Sequence, residues 1–185
     1  MRVIAGLAKG TRLKAPGGMK TRPTSSRVRG AFFNIVGQRI HGATFLDLFS
    51  GSGAMGIEAL SRGSAQAVFV EKERVCAKII MENLAHCRML DRAVLVKQDA
   101  GLALSLLSRK GYKFEIVYID PPYLFPDIFD LVSQLAKDQL LKTGSLIGLE
   151  RDSRSNADWS GLSSFLLAQR KKYGNTQLIL FEYIK

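Results

Sequence analysis

The order of apolar segments predicts an α/β fold, a mostly parallel sheet covered by helices and closed by an antiparallel pair. Three observations carry that expectation. From residue 44 onward, short apolar runs alternate with segments of helical periodicity; a glycine-rich turn follows the first run; and Gly174-Asn175, a hairpin-turn dipeptide, separates two β-prone runs near the end.

Each element follows from local chemistry. Residues 1–15, RVIAG then KGTRLKAP, read as a small β-hairpin broken by Gly6 and Gly10, and Pro16-Gly17-Gly18 ends it. Ser25 or Ser26 is an acceptable N-cap, and Val28, Phe32, Ile35 and Val36 recur at helical spacing, so a helix is expected over 26–36. Strands are expected at 44–49, 67–71, 93–97, 115–120 and 145–149, where apolar runs are too short for helices. Helices are expected at about 53–62, 73–87, 100–109, 127–138 and 159–167. The runs 168–173 and 176–184 make the closing pair, for seven strands in all.

The 185 residues are 46% hydrophobic, enough for one compact domain with an appendage. No run reaches the length of a membrane span and MRVIAGLAKG lacks a signal-peptide core, so a cytoplasmic protein with no membrane partner is expected. Cys76 and Cys87 have neither zinc-site nor disulfide spacing and read as small hydrophobes, with no metal implied. His41 and His86 read as ordinary surface or partly buried side chains.

Charge is unevenly placed. Of the net +11, residues 1–46 hold nine Lys or Arg and no Asp or Glu. The same segment carries Val3, Leu13, Val28, Phe32 and Phe33, enough apolar surface to pack, so a folded basic face is expected rather than a solvated tail. Such a face attracts phosphate backbones.

In an open parallel sheet, ligands lie beyond the carboxyl ends of the strands. Asp47, Glu71, Asp99 and Asp120 all fall at or just after strand ends, around the turn Gly51-x-Gly53-x-x-Gly56. The glycine pattern alone is weak, because the turn needs glycine for its own backbone. Asp47 discriminates between ligands: a carboxylate beside a pyrophosphate repels it, whereas a ligand with a cationic centre is favoured. S-adenosylmethionine has that centre, with ribose hydroxyls suited to Glu71 and an adenine amino group within reach of Asp99 or Ala100. The alternative is that these acids only solvate strand ends.

The segment IDPPY, 119–123, adds a reactive corner. Two prolines stiffen it and remove competing donors. The Asp120 carboxylate and Pro121 carbonyl can accept both hydrogens of a planar amino group and aim its nitrogen at a methyl donor. Tyr123 can stack on the base that carries the amine. The plainer alternative is a turn with an edge aromatic.

Taken together, Arg22-Pro23-Thr24, Arg27-Val28-Arg29, Phe33-Asn34, LDLFSGSGAMGIEALSRG at 46–63, VEKE at 70–73, QDA at 98–100 and DPPY at 120–123 resemble the RsmD family of bacterial small-subunit rRNA guanine-N2 methyltransferases. The resemblance spans nearly the whole chain, and its N-terminal block is the more specific part. It implies a Rossmann-like class I methyltransferase fold of seven strands over residues 41–185, with residues 1–40 as a basic RNA-binding hairpin and helix. It implies S-adenosylmethionine as cofactor, held by Asp47, Phe49, Gly51, Gly53, Glu71, Lys72, Asp99 and Ala100. Asp120, Pro121, Pro122 and Tyr123 would receive the guanine, and Arg12, Lys14, Arg22, Arg27 and Arg29 would bind RNA. The implied partner is 16S rRNA within the small subunit or an assembly intermediate, and the implied state a monomer. The chain departs from the family pattern at Ser26, at Gly30 and at Ala5-Gly6.

Three other readings compete. A DNA adenine N6 or protein glutamine N5 methyltransferase would use a similar proline corner, though Asp120 in place of asparagine leans away from both, and the basic arm argues against a protein substrate. A non-catalytic ribosome-assembly factor could keep the fold, and the intact acids count against it. A nicotinamide oxidoreductase is disfavoured by Asp47.

Overall fold

The computed structural model describes residues 1–17, 25–122, 125, 128–155 and 157–185. Seven strands, β1 (Thr44–Leu48), β2 (Gln66–Val70), β3 (Ala93–Val96), β4 (Phe114–Ile119), β5 (Leu141–Asp152), β6 (Phe165–Tyr173) and β7 (Thr176–Tyr183), lie in the order β3-β2-β1-β4-β5-β7-β6. The first five pair in parallel; β7 runs antiparallel to both β5 and β6. Chain order reverses between β1 and β4, which leaves a crevice at their carboxyl ends.

Helices α1 (Ser26–Val36), α2 (Ala54–Ser61) and α3 (Arg74–His86) cover one face, and α4 (Ala100–Arg109) and α5 (Ile128–Lys137) the other. Strand alternation sorts the core. Phe45, Ile116 and Tyr118 meet Phe32 and Phe33 of α1, while Leu46, Val117 and Ile119 meet Leu104, Leu107 and Leu131. Each such fully buried side chain contributes roughly 1.5–3 kcal/mol. Ser25 caps α1 by accepting from the Val28 N–H, as its position in the sequence predicts.

Residues 1–17 share that first core through Val3, Ala8 and Leu13. Their pairing is a single antiparallel bridge, Arg2 to Arg12, flanked by Val3–Thr11 and Leu13–Met1 backbone bonds. A longer hairpin does not form, because Gly6 and Gly10 take positive φ and neighbouring N–H groups bond to α2 instead.

One expected element is replaced. Residues 159–164 form turns, with the Leu162 N–H donating to Trp159 O and the Phe165 N–H to Leu162 O, and β6 begins at Phe165. The helical spacing there is outweighed by packing: Trp159 lies edge-on to Phe181 at 5.4 Å, and Phe165 packs on Phe181 and Tyr183. Strand β5 also runs longer than its apolar stretch, because pairing with β7 continues to Asp152–Thr176. Among the described residues no helix is long and apolar enough to cross a membrane.

Candidate active site at the carboxyl edge of the sheet

The three glycines after β1 do three different jobs. Gly51 has φ +54° and faces open space, so the backbone there is accessible to a ligand. Gly53, at φ +77°, is the N-cap of α2 and sits against Ile80. A Cβ on Gly56 would stand 2.2 Å from the Phe69 ring, so glycine there lets α2 approach β2. Phe49, a non-glycine residue at φ 61°, begins the turn in a conformation that costs about 1–3 kcal/mol. Ser50 ties the turn to β2: its N–H and hydroxyl both donate to Val70 O, and the hydroxyl also to Asp47 O.

Asp47 is 2% exposed, and its Oδ2 accepts from the Gly56 N–H at 2.9 Å. Burial pushes its carboxyl well above the usual range; the Gly56 bond opposes that, and Asp120 and Glu71 add to it. Glu71 accepts from the Gly51 N–H through Oε2 and from the Glu73 N–H through Oε1. A carboxylate offers about four lone-pair sites, so both oxygens keep acceptor capacity. Asp99 is exposed and caps α4 by accepting from the Gly101 N–H; Ala100 behind it is buried, and Lys72 is exposed.

Asp120 follows β4 on the same face as Asp47, half-buried, with its N–H donating to Leu48 O. Pro121 is buried and Pro122 exposed, and the Pro122 carbonyl accepts from the Phe125 N–H. Tyr123 lies outside the described residues. The structure thus brings Asp47, Gly51, Glu71 and Asp120 together at one crevice, with Asp99 at its outer rim.

Two features of this edge escape a sequence reading. Phe125 meets Phe49 edge-on at 5.1 Å, and the Tyr118 hydroxyl donates to Glu150 Oε2 at 2.7 Å. Burial raises the Tyr118 hydroxyl well above its ordinary value, with Glu150 and Asp120 adding to the effect.

The basic arm divides. Arg12 and Arg27 are exposed, and Arg27 lies over the Tyr173 ring at 5.9 Å. Lys14 is exposed but pairs with Glu82 at 2.8 Å. Arg22 lies outside the described residues. Arg29, expected on the RNA face, is only 1% exposed: its Nη2 donates to Arg2 O and its Nε stands 3.6 Å from Glu58. It is a structural ion, because α1 turns it inward beneath the arm. Glu58, fully buried, also accepts from the Ile4 and Ala5 N–H groups and from Arg62 Nε. The signal for this knot was a lone charge within the apolar run of α2. Asn83 adds a second tie, accepting from the Lys14 N–H and donating to Lys14 O and Ser52 O.

The sequence matches the family described as Conserved hypothetical protein 95 over residues 1–182. It is 32% identical over 188 residues to Ribosomal RNA small subunit methyltransferase D of Escherichia coli (strain K12), covering 95% of this chain and 93% of that one. The protein of the same name from Haemophilus influenzae is 32% identical over 152 residues, 82% of this chain and 79% of that one. A solved structure of a hypothetical protein from Thermus thermophilus superposes with a TM-score of 0.83 at 30% identity, over 98% of this chain and 99% of that one.

Proposed function

This chain belongs to the Conserved hypothetical protein 95 family, and on that premise we propose that it transfers a methyl group from S-adenosylmethionine to the exocyclic N2 of a guanine in small-subunit ribosomal RNA. The relatives' name, Ribosomal RNA small subunit methyltransferase D, supports the rRNA substrate. The observation that carries the donor is Asp47: a buried carboxyl with Asp120 and Glu71 as its acidic neighbours, beside a glycine turn whose Gly51 faces open space. That arrangement fits a ligand with a cationic centre and repels a diphosphate.

Asp47, Gly51, Gly53 and Glu71 would hold the donor, with Phe49, Lys72, Asp99 and Ala100 along its length. When bound there, S-adenosylmethionine would supply a methyl carbon activated by a cationic sulfur, on which the bonding pair would stay as a neutral thioether. Asp120 and the Pro121 carbonyl accept the hydrogens of the guanine amino group, which fixes the nitrogen and offsets the positive charge that develops on it. The proton then passes to Asp120 or to water. Tyr123 supplies the stacking face, and Arg12 and Arg27 meet phosphates.

The test is incubation of the protein and labelled donor with small ribosomal particles that lack the modification, followed by mapping of the label. Label on one guanine N2 is expected. Label on an adenine or on protein, or none at all, overturns the reading.

A further inference from the structure

The sheet register brings a second group of cations to the candidate site's edge. Because Asp152 at the end of β5 pairs with Thr176, the Gly174–Asn175 turn between β6 and β7 lies at the carboxyl edge of the parallel strands. Arg151, Gln177 and Lys172 stand directly opposite one another across β5, β7 and β6. Two buried atoms of that row, Arg151 Nη1 and Gln177 Oε1, have no hydrogen-bond partner among the described residues. On the other face of the hairpin, Lys171 is exposed beside Tyr173, whose ring lies under Arg27 of α1. Residues 159–181 include Arg170, Lys171 and Lys172 and no acid. Asp152 is answered by Arg154, whose hydrogen bond holds its carboxyl down at about 2.

Lysines on an edge strand also guard against pairing with another chain. That accounts for Lys171 and Lys172, but not for the half-buried Arg151 two strands further in, nor for the exposed cation contributed by α1. A phosphate oxygen is the acceptor a guanidinium fits best. We propose that the tip of the β6–β7 hairpin grips the RNA phosphate backbone beside the target base, through cations of β5 and β6 that extend the basic surface of the N-terminal segment past Arg27. The proposal rests on the rRNA-methyltransferase reading and names which surface holds the RNA.

Charge reversal separates this from edge protection. The full-length double variant Lys171→Glu, Lys172→Glu keeps a charged edge strand, so oligomeric state and donor affinity stay as in the unaltered chain. Its affinity for small-subunit RNA should fall at least tenfold, and the log–log salt slope should flatten by about 1.5, two phosphate contacts at roughly 0.7–0.9 each. Arg151→Gln should flatten it by about one contact. If the unaltered protein binds the RNA and both variants match its affinity and slope, the hairpin contact is refuted and the methyltransferase reading survives. If the unaltered protein neither binds nor methylates the RNA, both fall together. Variants that aggregate while their donor binding persists would show that the lysines protect the edge, and would also refute the proposal.

Discussion

The Phe125 ring stands edge-on to Phe49 at 5.1 Å, joining the glycine turn after β1 to the proline corner after β4. Phe49 holds a positive φ, so its backbone depends on its surroundings. Such an aromatic pair is worth about 0.5–1.5 kcal/mol beyond area burial. Phe125→Ala should therefore reduce kcat/KM by up to about tenfold while thermal unfolding shifts by only a few degrees. Phe125→Leu should recover part of the loss. Steady-state kinetics beside a melting curve check this; unchanged kinetics would detach the two loops from each other.

Asp120→Ala should lower turnover by about 10²-fold or more, the range seen when one oriented polar group is lost from a reacting centre. Donor affinity, measured by titration calorimetry, should hardly change, since Asp47 and Glu71 remain. Normal methylation by this variant would remove the proposed role of the proline corner.

Asp47 sets a pH dependence. Its folded value is raised, chiefly by burial, above that of the unfolded chain. Below the ordinary carboxylate range the group is protonated in both states and its contribution to stability is complete. As pH rises from that range through the raised folded value, the contribution is lost. A cationic donor favours the ionised form, so donor affinity should rise across the same window, with proton release on binding. Asp47→Asn should flatten both trends. Calorimetry in buffers of different ionisation enthalpy measures the release directly, and none across that window would contradict the assignment.

Glu58→Ala should destabilise the fold by about 3–5 kcal/mol, because Arg29 is left charged and buried without its partner. The Ile4 and Ala5 N–H groups also lose their acceptor, so the arm should loosen from α2. Urea unfolding gives the first quantity. Amide exchange at residues 4 and 5 gives the second, and slow exchange there in the variant would show that other contacts hold the arm.

The alternation of strands and helices, the capped α1 and the closing hairpin were all legible in the chain, because burial periodicity and turn residues act over a few positions. It also placed Asp47, Gly51, Glu71 and Asp120 at strand ends, since in a parallel sheet every strand end faces the same edge. Tertiary structure decided what depends on partners distant in the chain. Packing of Trp159 and Phe165 against β7 turned an expected helix into turns and an edge strand. Burial against Glu58 converted Arg29 from an RNA contact into a structural ion. The register of β5, β7 and β6 aligned Arg151, Gln177 and Lys172, a row that residues 151, 172 and 177 do not announce in the chain. Local periodicity fixes which face of an element is apolar; only the assembled sheet fixes which charges end up side by side.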